Sequence, residues 1–312
     1  MSLYLGIDTS NYTTSLALYD SETGQIRQQK KLLPVKDGAL GLRQSDALFH
    51  HVKQLPTLAQ ALFTEAEGKK IAAIGVSTQP RRREDSYMPC FLAGESLAWS
   101  MGAALQVPVY DFSHQEGHVA AALYGSGHLD WMDQTFIAFH FSGGTSDGLL
   151  VKPDGKRFFI DQVSGSLDLK AGQAVDRVGM MLGLSFPAGP ELEKLAAQSE
   201  KKNKIKAVMK DCDCSFSGVE NRCRTMLEKG ESPCDIARYC LDFIAASLSA
   251  MTEKLLERYG DLPLLYAGGV MSNQYIRQII ETRFGGVFCP PIYSADNAAG
   301  IAVLAAKMAQ EG

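Results

Sequence analysis

Apolar and polar positions alternate in a way that divides the chain into strands, small-residue turns and helices. Leu3 to Asp8 reads as an apolar strand, Thr9-Ser10-Asn11-Tyr12-Thr13-Thr14 as a tight polar turn, and Ser15 to Tyr19 as the returning strand. The same unit recurs in the middle of the chain. Phe136 to Phe141 runs into a turn from Ser142 to Gly148 and returns through Leu149 to Val151. The recurrence predicts a duplicated domain. Both turns are rich in Gly, Ser and Thr, a composition that lets backbone N–H groups and hydroxyls close around phosphate oxygens.

Helical periodicity covers Ser45 to Ala66 and Phe91 to Ala104, with a short apolar strand from Ile71 to Val76 between them. This alternation indicates an α/β fold. After the second hairpin come a helix over Gly172 to Leu182, a Pro/Gly turn at Phe186 to Pro190, and another helix from Glu191. The lysine-rich stretch Ser199 to Lys210 reads as a solvated helix face or loop. A long helix from Ile236 to Tyr259 leads into strand Leu262 to Ala267, which ends in Gly268-Gly269 ahead of a further helix. A glycine pair at such a strand-to-helix switch lets backbone approach a nucleotide closely. The last, Ala-rich helix has Asp296 near its N-terminus and is expected to pack back on the first domain.

With 312 residues the chain accommodates two domains, and its 46% hydrophobic and 21% charged residues exclude a disordered or membrane-embedded chain. A net charge of −4 gives no global attraction to nucleic acid, so an RNA partner must be met by a local basic patch or a helper protein. No apolar run is long enough to cross a bilayer, and the N-terminus opens into a strand rather than a signal peptide; a cytoplasmic protein is expected. Seven cysteines at irregular spacing suit reduced thiols, and those from Cys212 to Cys240 match no zinc-binding pattern.

His114 and His118 are the first candidate site. Four-residue spacing puts both imidazoles on one face of a helix, where one metal ion can accept both; the alternative is a pair of partly buried histidines on an amphipathic helix. Asp296, near the start of a late helix, can complete a two-histidine, one-carboxylate set that suits iron, zinc or manganese. Glu116 lies between the histidines, but the zinc-protease helix needs His-Glu-x-x-His and this chain has His-Gln-Glu-Gly-His, which excludes a metalloprotease.

Two phosphate-type hairpins followed by a Gly-Gly strand exit resemble the actin, hexokinase and DnaK-type chaperone superfamily. That resemblance implies a duplicated actin-like ATPase fold with an interdomain nucleotide cleft. The expected domains are residues 1–134 with 297–312, and residues 135–296.

Along nearly its whole length the chain resembles the TsaD/Gcp family, whose members place a threonylcarbamoyl group on N6 of adenosine 37 in tRNA. The motifs that carry the resemblance are His114-Gln115-Glu116-Gly117-His118, Phe141-Ser142-Gly143-Gly144, Gly172-Gln173-Ala174-Val175-Asp176-Arg177, Leu182-Gly183-Leu184 with Pro187 to Pro190, Ser215-Phe216-Ser217-Gly218, Ala267-Gly268-Gly269-Val270 with Asn273, and Asp296-Asn297-Ala298-Ala299. The resemblance implies one divalent metal ion, iron or zinc, on His114, His118 and Asp296. It also implies an adenine nucleotide, ATP or threonylcarbamoyl-adenylate. Phe141, Ser142, Gly143 and Gly144 would contact phosphate, Asp176 and Glu193 the ribose, and Gly189, Gly268, Gly269 and Asn273 the nucleoside. His140 stands where some members carry a metal-reaching tyrosine, so it is a fourth ligand or else a core histidine. The implied reaction is acyl transfer without a covalent enzyme intermediate. The implied partners are tRNA, proteins of the same modification pathway, and a second copy or a paralogue of the chain; no membrane is involved.

The chain departs from the family in three places. The first hairpin usually reads Glu-Thr-Ser-Cys-Asp-Glu-Thr, whereas Asp8-Thr9-Ser10-Asn11-Tyr12-Thr13-Thr14 lacks the adjacent acidic pair. A Gly-Pro-Gly-Leu loop is replaced by Thr78 to Ser86 with Arg81-Arg82-Arg83, which would meet phosphate or solvent. Thr145-Ser146-Asp147 stands in place of His/Asn-Thr-Gln. These changes read as those of a divergent paralogue, and they leave two further functions open: a non-catalytic nucleotide-binding partner of a tRNA-modification complex, or another carbamoyl- or phosphoryl-transferring enzyme on the same fold.

Overall fold

The apolar runs that open the two hairpins become the central strands of two five-stranded sheets. The computed structural model describes residues 2–34, 42–66, 68–295 and 297–309. In chain order the elements are β1 (Ser2–Ser10), β2 (Thr13–Asp20), β3 (Ile26–Leu32), α1 (Gln44–Thr64), β4 (Lys70–Gln79), α2 (Leu92–Leu105), β5 (Val109–Ser113), α3 (His114–Ser126), β6 (Phe136–Phe141), β7 (Ser146–Asp154), β8 (Arg157–Gly165), α4 (Ala171–Met181), α5 (Gly189–Ala196), β9 (Met209–Lys210), β10 (Asp213–Cys214), α6 (Ser217–Glu228), α7 (Pro233–Tyr259), β11 (Leu264–Ala267), α8 (Gln274–Phe284), β12 (Val287–Phe288), α9 (Pro291–Ser294) and α10 (Ala299–Ala309). Two compact units result: residues 1–132 with 153–158 and 292–312, and residues 133–152 with 159–291.

The sheet of the first unit has the order β3-β2-β1-β4-β5 and that of the second β8-β7-β6-β11-β12. In each, the first strand is antiparallel to the next in sequence and parallel to a later one: β1 with β2 and β4, β6 with β7 and β11. One sheet order therefore occurs twice in the chain.

Strand β1 is buried from Leu3 to Ser10 without alternation, because helices cover both of its faces. Leu3, Leu5 and Ile7 join Leu55, Leu58 and Leu62 of α1 in one core. On the other face Gly6 meets α10 so closely that a Cβ would lie 2.4 Å from the Ala298 carbonyl oxygen and 2.5 Å from the Ala302 nitrogen. In the second unit α7 carries Ile236, Leu241, Ile244, Leu248, Met251 and Leu255 into a single core. Full burial of each such side chain contributes about 1.5–3 kcal/mol. Phe139, Tyr266 and Phe288 face one another across β6, β11 and β12, stacked at 5.2 and 4.8 Å, so aromatic pairing adds to strand pairing there.

The hairpin turns are tighter than the sequence pattern predicts. Only Asn11 and Tyr12 separate β1 from β2, and Thr9 and Ser10 pair with Thr14 and Thr13. Threonine packs well on a pleated surface, and here its hydroxyls have partners: Thr9 Oγ1 donates to the Cys90 carbonyl at 3.1 Å and Thr14 Oγ1 to Gln54 Oε1 at 2.7 Å. The second turn shortens to Ser142–Thr145, with Ser146, Asp147 and Gly148 inside β7. Strand β3, Ile-Arg-Gln-Gln-Lys-Lys-Leu, escapes a hydrophobicity reading because it is a sheet edge with no buried residue. The lysine-rich stretch is no helix; it runs as a loop into β9. Among the described residues no helix is long and apolar enough to cross a membrane.

Candidate functional site

Ser113 ends β5 and caps α3 at once. Its hydroxyl accepts from the Glu116 N–H at 3.2 Å, while the Glu116 carboxylate accepts from the Ser113 N–H at 2.7 Å, a reciprocal capping box. Glu116 is fully buried in this role and also takes Arg82 Nη2 at 3.3 Å. This agrees with the exclusion of a zinc-protease base, and it shows that Arg82 meets carboxylate: Asp111 lies 3.7 Å away as well.

The cap sets His114 as the first residue of α3 and His118 one turn later. Their Nε2 atoms lie 2.9 Å apart. The other ring nitrogen of His114, Nδ1, is 2.8 Å from Asp8 Oδ1, and the same oxygen accepts from the Ser77 hydroxyl. Asp8 is fully buried at the end of β1. A carboxylate on Nδ1 fixes the tautomer that leaves Nε2 as the electron-pair donor, the usual arrangement behind a metal-bound histidine. At 2.9 Å the two imidazoles form a hydrogen-bonded pair, and a tetrahedral ion with bonds of about 2.0–2.1 Å holds its nitrogens about 3.3–3.4 Å apart, so a movement of roughly 0.5 Å between the rings opens the pair to a single divalent ion. Among the described residues there is no cluster of three or more His, Cys, Asp or Glu side chains placed to hold a metal. Asp296, the expected third ligand, lies outside them.

The glycine inside the histidine motif has a packing reason. A Cβ on Gly300 would lie 1.9 Å from the Gly117 carbonyl oxygen, and one on Gly117 would lie 2.8 Å from Ile301 Cδ1. Helix α10 therefore rests directly on α3 one residue from His118. The chain reaching it is held by the Ala298 N–H donating to Ser15 Oγ at 2.8 Å and by Asn297 Oδ1 accepting from Ala299.

Most of the other expected residues gather in the second unit. A cavity of about 330 Å³ is lined by Gly143, Gly172, Asp176, Gly189, Glu193, Gly269 and Asn273, with apolar walls from Val175, Leu241, Val270 and Ile276. Concave, mostly apolar pockets with a few polar groups are the common form of small-molecule sites. The turn beside it sits on the N-terminus of α4: a Cβ on Gly172 would lie 2.6 Å from the Gly143 nitrogen. Ser142 Oγ accepts from the Gly144 and Thr145 N–H groups at 3.3 and 3.1 Å, which shapes the turn.

The acidic residues of the pocket are held by backbone. Asp176 Oδ1 accepts from the Ala188 N–H at 2.9 Å, and burial raises its carboxyl above the usual range. Glu193 Oε1 accepts from the Gln274 N–H at 2.7 Å. Asn273 Oδ1 caps α8 by accepting from Ile276 at 2.9 Å. Gly268 has φ +98°, and a Cβ there would lie 2.2 Å from the Phe141 carbonyl oxygen, so only glycine fits. His140, half-buried on β6, stands beside that glycine, its Cδ2 2.9 Å from the same Cβ position. All seven cysteines are free thiols, and burial pushes Cys90, Cys214 and Cys223 up to about 12, the state of inert structural thiols.

Sequence reasoning missed Asp8, Ser77 and His51. His51 is fully buried with Nδ1 2.8 Å from Thr14 Oγ1, and burial lowers it to about 4. For Asp8 a signal existed: a carboxylate closing an otherwise apolar buried strand needs a partner.

The repeated sheet order, with helices on both faces, defines the actin-like ATPase fold. Full-length HypF, solved in its phosphate- and nucleotide-bound form, is similar over 100% of this chain and 47% of its own (TM-score 0.61, 13% identity). A ROK family glucokinase from Streptomyces griseus is similar over the whole of both chains (TM-score 0.51, 15% identity). Within that fold class a family model, TsaD, tRNA N6-adenosine threonylcarbamoyltransferase, matches residues 36–303, and the chain belongs to this family. The tRNA N6-adenosine threonylcarbamoyltransferase of Thermus thermophilus is 29% identical over 99% of this chain and 93% of its own length.

Proposed function

We propose that the chain transfers the threonylcarbamoyl group of threonylcarbamoyl-adenylate to N6 of an adenosine in tRNA, with a divalent ion on His114, His118 and Asp296. The observation that carries this reading is the Asp8–His114–His118 arrangement, in which a buried carboxylate 2.8 Å from Nδ1 turns Nε2 toward a second Nε2 at 2.9 Å. A scaffold has no physical need for such a set. Two imidazoles and a carboxylate suit iron or zinc. The ion, when bound, supplies positive charge that draws a phosphate or carbonyl oxygen.

The chain's own residues do the rest by binding and orientation. The pocket of the second unit takes the adenosine of the donor: Val175, Leu241 and Ile276 flank the base, and Asp176 and Glu193 face the ribose. Gly143, which lines the pocket beside the N-terminus of α4, meets the phosphate with its backbone N–H, while the Ser142, Gly144, Ala171 and Gly172 N–H groups hold the turn in shape. The adenine amino nitrogen then attacks the carbamoyl carbon; a C–N bond forms, the C–O bond to phosphate breaks, and AMP leaves with the electron pair as the amino proton passes to solvent. Placement and charge carry the rate, without an enzyme-bound acyl group. Free thiols and a tRNA acceptor suit the cytoplasm, where partner proteins of the pathway would meet it.

Single-turnover transfer from threonylcarbamoyl-adenylate to unmodified tRNA, with metal analysis of the native chain and of His114→Ala, tests this. Transfer by the native chain and loss of both metal and transfer in the variant is expected. Metal retained by the native chain with no transfer would overturn the reaction and favour a non-catalytic partner.

A further inference from the structure

Residues 202–210 alternate between exposed and half-buried positions, the pattern of an extended chain lying on the surface. Lys202, Lys204, Lys206, Val208 and Lys210 are exposed, while Asn203, Ile205, Ala207 and Met209 are half-buried. The inward row is anchored. Asn203 Nδ2 donates to Asp242 Oδ2 at 2.8 Å, Ile205 and Met209 pack on the core of the second unit, and the Val208 carbonyl accepts from the Ser215 N–H at 3.1 Å. Anchors at Asn203, Ile205 and Met209 fix the direction in which the intervening lysines point.

Lys201 is satisfied differently, by Glu231 at 3.0 Å and Asp235 at 3.1 Å. No carboxylate is paired with Lys202, Lys204, Lys206 or Lys210 among the described residues. An extended chain places same-face residues roughly 6.5–7 Å apart, and a four-carbon stem lets each ammonium reach a separate phosphate. In a chain of net charge −4, attraction for RNA must be local.

We propose that this lysine comb is a contact surface for the phosphate backbone of the RNA acceptor, held rigid by the Asn203, Ile205 and Met209 anchors. It gives affinity and position without base readout, as phosphate contacts do. The proposal rests on the tRNA reading for the identity of the acceptor, but it concerns binding, which is measured apart from transfer.

The test is binding of unmodified tRNA by the full chain across a series of salt concentrations, comparing native protein with the triple variant Lys202→Gln, Lys204→Gln, Lys206→Gln and with the triple Lys→Arg variant. Three lost phosphate contacts should lower the slope of log affinity against log salt by about 2 and weaken binding at low salt roughly 10- to 100-fold. The arginine variant should keep the native slope. Circular dichroism should show all three folded, since the changed side chains are exposed. An unchanged slope in the glutamine variant, or no tRNA binding by the native chain, overturns the proposal. So does poly-glutamate binding that falls as much as tRNA binding, because the surface would then serve an acidic protein. Normal salt-dependent binding with no transfer defeats the reaction and leaves the comb standing.

Discussion

Gly300→Ala should be among the most damaging additions of a single methyl group at the described residues. At that position a Cβ would lie 1.9 Å from the Gly117 carbonyl oxygen and 2.5 Å from the Ala121 nitrogen, where ordinary contact begins at 3.4 Å. Relief requires α10 and α3 to part by about 1.5 Å, and both obstacles are helix backbone, so no side chain can rotate away. Overpacking a core with a flexible neighbour costs about 1–3 kcal/mol, and a rigid one belongs at the upper end. Removing a helical glycine returns at most about 1 kcal/mol, leaving a net loss of roughly 2 kcal/mol or more. At about 2–4 °C per kcal/mol for a unit of this size, Tm should fall by roughly 4–8 °C in a calorimetric scan. Gly218→Ala is the control: nothing lies within 4 Å of its Cβ position near the start of α6, and its Tm should be unchanged or slightly higher. Gly117 precedes His118, so the parting also shifts α3 at the histidine, and metal affinity should fall in Gly300→Ala alone. A Gly300→Ala protein with native Tm would refute the close helix contact and with it the placement of the histidine helix.

Asp8→Asn keeps the volume but weakens the hold on His114 Nδ1, and titration with zinc or ferrous ion should show affinity lowered 10- to 100-fold; unchanged affinity would remove Asp8 from the site. His51 titrates near 6.5 in the unfolded chain and at about 4 in the fold. Between those values the unfolded chain takes up a proton that the fold refuses, so stability is full above pH 6.5 and declines by at most about 3 kcal/mol as pH falls toward 4. Urea unfolding of native protein and His51→Gln from pH 4.5 to 7.5 should show a shallower decline in the variant; parallel curves would refute it. At Gly269 no atom lies within 4 Å of a Cβ, and the residue lines the pocket. Gly269→Leu should therefore cut adenine-nucleotide affinity at least tenfold with Tm within about 2 °C of native, read by calorimetric titration; native affinity would place the nucleotide elsewhere.

Features fixed by local chemistry are legible in the sequence. The strand Phe136 to Phe141 is visible because its residues are apolar and buried on both faces, His140 alone being polar and half-buried. The histidine helix was visible because spacing alone decides which residues share a face. What escaped was set by tertiary neighbours. Strand β3 is polar because it is an edge, and Thr9 and Thr14 join strands rather than a turn because Cys90, Gln54 and His51 satisfy their hydroxyls. Asp8 could be read as buried, but its partners arrive from β4 and α3, more than 60 residues along the chain. Gly117 looked like a spacer in a motif, and only the arrival of α10 explains it.

The changed first hairpin is better understood as a neutral environment than as a bare loss of charge. Family members resembling this chain carry an acidic pair where Tyr12 and Thr13 stand. Thr13 is buried, and a carboxylate at that depth would need a cation or several N–H donors beside it. The imidazole on the neighbouring Thr14 cannot serve as one: burial holds His51 at about 4, so it is uncharged at neutral pH. It is instead 2.8 Å from the Thr14 hydroxyl, which in turn reaches Gln54 at 2.7 Å, a chain of neutral hydrogen bonds. Thr9, Ser10, Thr13, Thr14 and Ser15 are all buried hydroxyl residues, and Asp8 is the one carboxylate in the run from Ile7 to Tyr19. Charge at this end of the sheet is thereby concentrated on Asp8 and directed at His114. Restoring the acidic pair by Tyr12→Asp and Thr13→Glu should therefore destabilise the fold, and it should do so more through Thr13, which is buried, than through Tyr12, which is 41% exposed. Equal and small losses at both positions would show that the hairpin tolerates charge and that its neutrality is incidental.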